Sequence, residues 1–191
     1  MAGESLTYGA PAAWIRPQAF DRVQRGETSD AARLALQDFQ IRIGAAGEET
    51  YTHTVIELRT PQALALANLA LSWDPTTDDL IVHAIRLHRG DRMIDIVARG
   101  DVFTILRRES RLEAAMLDGR LTATLQVEGV EVGDYLEVAY SLRHKDPVMQ
   151  GRGESMISVN RGKIGHLYLR KVWTDDRPVR CGGRPDQPVA Q

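Results

Sequence analysis

The chain has 191 residues, 43% hydrophobic and 26% charged, which is globular usage and excludes a disordered or collagen-like chain. Its 24 basic and 26 acidic residues leave a formal net charge of −2, against the basic excess expected of a nucleic-acid binder. One cysteine, Cys181, excludes an internal disulfide and a cysteine-based zinc site, and no apolar run approaches the ~20 residues of a membrane-spanning helix.

Met1-Ala2-Gly3-Glu4-Ser5 lacks the basic start and apolar stretch of a signal peptide. That leaves two readings, a cytosolic chain and an exported one whose leader has been removed. Ala2 to Pro17 is small-residue and proline-spaced, as extended arms are. Trp14 and Ile15 within it favour an arm docked on the body over a partner-binding peptide. With Asp30 as a cap, Ala31 to Leu36 predicts one or two helical turns. From Phe39 the period changes to two, with Phe39, Ile41 and Ile43 against Gln40 and Arg42, the pattern of a half-buried strand. A Gly-containing turn at 44–47 then links it to the β-branched run Thr50 to Leu58, which reads as a hairpin.

Pro61 to Leu71 favours helix by propensity, yet Leu69, Leu71 and Trp73 fit alternation, so helix is expected for the first turn alone. Asp74-Pro75 marks a turn. Leu80 to Leu87 predicts a strand covered on both faces, and after Arg89-Gly90-Asp91 the chain returns as a short strand to Val97. Further strands are expected at Val102 to Leu106, Leu121 to Val127, Tyr135 to Arg143, Ser155 to Val159 and Ile164 to Trp173. In Tyr135 to Arg143, Leu136, Val138, Tyr140 and Leu142 share one face and Glu137, Ala139, Ser141 and Arg143 the other. Nine or ten short strands with little helix predict an all-β, antiparallel sandwich or a barrel-like variant. The expected organisation is an extended arm over 1–30, a β-sandwich domain over 31–176 and a disordered tail over 177–191.

No Gly-rich phosphate loop and no Gly-x-Ser-x-Gly stretch occurs, and no cofactor is expected. Cys181, the one thiol, falls in the tail, where a base is hard to position. His83 and His88 stand an odd number apart and would point to opposite faces of one strand. With His53, His144 and His166 they read as isolated histidines, and no metal ligand is assigned. Glu109 and Glu113, interleaved with Arg107, Arg108 and Arg111, read as an ion-paired loop rather than an acid/base dyad. Arg108, Glu109, Arg111 and Glu113 are therefore taken as a structural or partner-binding loop, and no catalytic residue is assigned.

Taken in order, Trp14-x-x-Pro17, Asp74-Pro75, Leu80-x-x-His83-x-x-Arg86, Arg89-Gly90-Asp91, Asp101-Val102, Arg108-Glu109-Ser110-Arg111-Leu112-Glu113, Met116-x-Asp118-Gly119, Val130-x-Val132-Gly133-Asp134 and Tyr140-Ser141-x-Arg143 resemble one family. It is a bacterial domain of unknown function, number three-eight-five-seven, and the resemblance spans about residues 12 to 175. Its members stand ahead of transglutaminase-like domains in exported or membrane-attached proteins. The resemblance implies a sandwich of immunoglobulin-like or super-sandwich type, a periplasmic or other extracytoplasmic setting, and no catalytic residues of its own. The cysteine, histidine and aspartate of the transglutaminase-like part have no counterpart here. The expected function is a non-catalytic accessory module that binds a protein partner or a neighbouring transglutaminase-like domain. The alternative is a small hydrolase or carbohydrate-active enzyme using Glu109 and Glu113.

Overall fold

The computed structural model describes residues 5–22, 30–44, 47–107, 119–145 and 164–173. Ten strands are present among them: β1 (Thr7–Tyr8), β2 (Ala32–Gly44), β3 (Gly47–Leu58), β4 (Asn68–Trp73), β5 (Asp78–Arg89), β6 (Arg92–Asp95), β7 (Thr104–Arg107), β8 (Leu121–Gln126), β9 (Tyr135–His144) and β10 (Ile164–Trp173). The Ala/Leu-rich stretch divides between helix and strand, with the helical part longer than the single turn expected. Pro61–Ala67 makes a 3-10 helix of seven residues, and Leu71 and Trp73 then point inward from β4.

Two sheets result. The larger runs β1-β5-β9-β3-β2-β10, with β6 added to β5, and the smaller runs β4-β8-β7. The all-β class holds, but the larger sheet is mixed rather than purely antiparallel, because β1 lies parallel to β5 and β10 parallel to β2. Leu80, Val82, Ile85, Leu87 and Leu136 of the larger sheet meet Leu71, Trp73, Leu121, Ala123 and Leu125 of the smaller in one apolar layer. Trp73 is its largest fully buried side chain, and burial of this layer supplies the main hydrophobic stabilisation.

Two expectations are corrected. Ala31 to Leu36 is not helical, since β2 begins at Ala32 and pairs with β3 from Ala32↔Leu58 onward. Ladder partners on both sides, and the buried Arg33–Glu57 ion pair at 2.7 Å, outweigh local helix propensity. The separation of His83 and His88 does not set them on opposite faces either. A β-bulge between Val82 and Ala84 inserts His83 as an extra residue, so both histidines reach the same side of the sheet. The predicted strand at Ser155 to Val159 and the tail from 177 lie outside the described residues.

Candidate functional site

Directly opposed residues in paired strands share a face, so the register alone assembles the second side of the larger sheet. It carries Asp38, Gln40 and Arg42 from β2, Glu49, Tyr51 and His53 from β3, Glu137, Ala139 and Ser141 from β9, and Ala84, Arg86 and His88 from β5. Such a polar face would ordinarily meet water. Here Asp38, Gln40 and Ser141 are each 0% exposed, because residues 9–22 run across it as an arm, after β1 has joined the edge of the sheet.

The arm is held mainly by its backbone. The Gln40 side-chain amide makes a reciprocal pair with Arg16, accepting from its N–H at 3.1 Å and donating to its carbonyl at 2.9 Å. Asp38 accepts the Gln18 N–H at 3.3 Å, and Arg170 of β10 donates to the Trp14 carbonyl at 2.6 Å. At the ends, the Gly9 N–H reaches the Val82 carbonyl, and the Tyr135 hydroxyl donates to the Arg22 carbonyl.

Side chains anchor it as well, Arg22 by donating to the Gly90 carbonyl. Ile15 is buried with Tyr51, Ala84 and Ala139, a cluster separate from the main apolar layer. The Trp14 indole donates to Glu49 at 2.9 Å, with the Arg42 guanidinium 5.5 Å from its ring centroid. Phe20 lies edge-on to His88 and beside Tyr135. The docked arm predicted from Trp14 and Ile15 is therefore observed.

Beneath the arm the charges are paired with one another. Both oxygens of Glu137 accept from imidazoles, His53 at 3.1 Å and His88 at 2.6 Å, with Arg86 at 3.4 Å. Burial pushes this carboxyl upward, but those hydrogen bonds and the neighbouring Arg86 outweigh it and hold the pKa at about 2. Burial raises Asp38 above the ordinary aspartate value, against the lowering effect of Gln40 and the Gln18 N–H. His83, bonded to the Gly9 carbonyl and the Ser141 hydroxyl at 2.8 Å each, is lowered by burial, which favours the neutral ring. One donor nitrogen on the carbonyl and one acceptor on the hydroxyl fix its tautomer. Glu49 closes the layer on Arg42 and Arg143 at 3.0 and 3.2 Å.

Ser141 and His83 stand at nucleophile–base distance, but the hydroxyl is sealed beneath the arm. Among the described residues, no three of His, Cys, Asp and Glu are grouped to hold a metal ion. The reading of the histidines as isolated is corrected at His53 and His88, which converge on one carboxylate. Arg108, Glu109, Arg111 and Glu113, like Cys181, lie outside the described residues. The sequence reading missed Asp38, Gln40, His53 and Glu137 as a group. Their signal was an alternating strand whose second face carries Glu and His rather than Ser, Thr and Lys.

Comparison with known proteins adds two findings. The family profile described as a Domain of Unknown Function with a solved structure, DUF3857, matches residues 45–191. The crystal structure of a candidate protease from Parabacteroides distasonis ATCC 8503 is similar in fold, with a TM-score of 0.52 and 16% identity over 59% of this chain. The match spans 23% of that protein's chain. No curated protein matches.

Proposed function

The chain belongs to the DUF3857 family, and from that premise we propose that it is a non-catalytic module that binds a protein partner in the bacterial cell envelope. The observation that carries the reading is the reciprocal amide lock of Gln40 on Arg16. A sheet face with inward-facing polar side chains grips a segment that, apart from the two residues of β1, has no regular structure of its own. That is a binding surface built for chain rather than for a small reacting molecule. The buried Glu137, His53, His88 and His83 support it too, since each is spent on pairing or on the arm. The envelope setting and a transglutaminase-like domain as the partner come from the resemblance of the ordered motifs to exported family members. The similarity to part of a longer chain fits a module working beside another domain.

The test is direct titration of the purified chain with a purified transglutaminase-like domain from a family member, followed by calorimetry. Saturable one-to-one binding is expected, together with no turnover of peptides, esters or glycans by the chain alone. Absence of binding overturns the assigned partner. Turnover that Glu109→Gln or Glu113→Gln abolishes while the fold is kept overturns the non-catalytic role in favour of a carboxylate hydrolase.

A further inference from the structure

We propose that the groove over β5, β9, β3 and β2 is a site for an extended peptide segment of another protein, and that residues 9–22 are its resident occupant. The inference rests on the binding-module reading and names the ligand class for it. Three features of the groove support it.

Recognition is largely of main chain. Gln40, Asp38, Arg170 and Tyr135 contact the N–H or carbonyl of residues 14, 16, 18 and 22. Groups shared by every peptide satisfy those contacts whatever the sequence. The N–H groups read by side chains here are those of residues 16 and 18, which leaves room for Pro17 between them.

Specificity sits in three places. One is an aromatic residue with an N–H donor, set against Glu49 and Arg42. The next is an aliphatic residue in the pocket of Tyr51, Ala84 and Ala139, and the third an aromatic five residues further on, between His88 and Tyr135. The ligand class is thus an extended segment of aromatic–aliphatic–x–x–x–x–aromatic pattern.

The occupant is separable from the fold. Ile15 and Phe20 pack in small clusters apart from the layer between the sheets, and Leu6, which does reach that layer, precedes the occupant, so release of residues 9–22 leaves the layer closed. The face uncovered would be mixed, with Asp38, Gln40, Glu49, His53 and Glu137 beside the apolar Leu36, Tyr51, Val55, Ala84 and Ala139. Its polar groups tolerate water, while its two apolar clusters favour recapture of a segment that carries matching side chains. A tethered occupant competes at high effective concentration, so a foreign segment binds well only when the arm's own anchors are weak or its own are better.

The experiment uses the full chain and a fluorescein-labelled synthetic peptide of residues 8–22, with binding read by fluorescence anisotropy. The parent chain is expected to bind weakly. The Trp14→Ala/Ile15→Ala chain, whose arm has lost two anchors, is expected to bind at least tenfold more tightly. Adding Gln40→Leu to that chain, or N-methylating the peptide at the Arg16 nitrogen, should remove the gain. The peptide modification leaves the protein untouched, so loss of folding does not explain it. Failure of the folded double variant to bind the peptide overturns the groove assignment, as does equal binding of the N-methylated peptide. If a transglutaminase-like domain binds and the peptide does not, the groove falls and the module reading stands. If the peptide binds and the domain does not, the groove stands and the assigned partner falls.

Discussion

Glu137 and Asp38 occupy the same buried face, yet their surroundings drive them in opposite directions. The Glu137 carboxyl, with an imidazole on each oxygen, is held at about 2 against its ordinary 4.5. A depressed folded pKa stabilises above pH 4.5, and that contribution is lost as pH falls from 4.5 toward 2. The shift corresponds to about 3 kcal/mol. Glu137→Gln is therefore expected to cost about that much at neutral pH and to flatten the acid limb of stability against pH, measured by urea unfolding between pH 3 and 7. Asp38 is raised by burial, so its contribution has the reverse sign. It is present below pH 3.8 and is lost as pH rises through the folded pKa. Asp38→Asn should accordingly cost less than about 1 kcal/mol at pH 7. Equal losses for the two variants would contradict this assignment. Gly47 is a case of pure geometry. Its φ is +112°, and a Cβ there would lie 2.1 Å from the His144 carbonyl oxygen. Gly47→Ala should lower stability by roughly 2 kcal/mol or more, read from the denaturation midpoint.

The strands show what alternation reveals and what it hides. In β8 and β9, Leu121, Ala123 and Leu125, and Leu136, Val138, Tyr140 and Leu142, keep one parity throughout, and the core-facing set was legible residue by residue. In β5 the core-facing residues change from even to odd, Leu80 and Val82 before Ile85 and Leu87. That change is the mark of the bulge at His83, and a reading as one continuous apolar run conceals it. Deleting His83 should restore a regular ladder with the same residues inward and cost about 1–2 kcal/mol. Deleting Val82 should instead seat His83 opposite Tyr140 in the apolar layer and cost several kcal/mol more. Equal denaturation midpoints for the two deletions would contradict the assigned bulge. The helix expected at Ala31 to Leu36 failed because propensity is local, while β2 has a partner on each side. The polar layer was illegible for a related reason. Alternation tells which residues share a face, not which segment comes to lie over it.

Three layers make up the described molecule: the small sheet, the large sheet and the arm. The first interface is apolar and centred on Trp73; the second combines paired polar groups with two small apolar clusters, one at Ile15 and one under Phe20. Truncation at the two interfaces should therefore have different reach. Trp73→Ala is expected to cost about 3–5 kcal/mol and to loosen the whole fold, and Ile15→Ala about 2–3 kcal/mol, confined to the arm. Amide hydrogen exchange on the full chain tests the arrangement most directly, because the arm's Arg16 and Gln18 amides are held by Gln40 and Asp38 alone in this layer. Both amides should be protected in the parent chain. In Gln40→Leu both should exchange much faster, while Leu136 and Val138 of β9 stay protected. Exchange of Arg16 and Gln18 at unstructured rates in the parent, or protection indifferent to the loss of Gln40, would contradict an arm held by a polar sheet face.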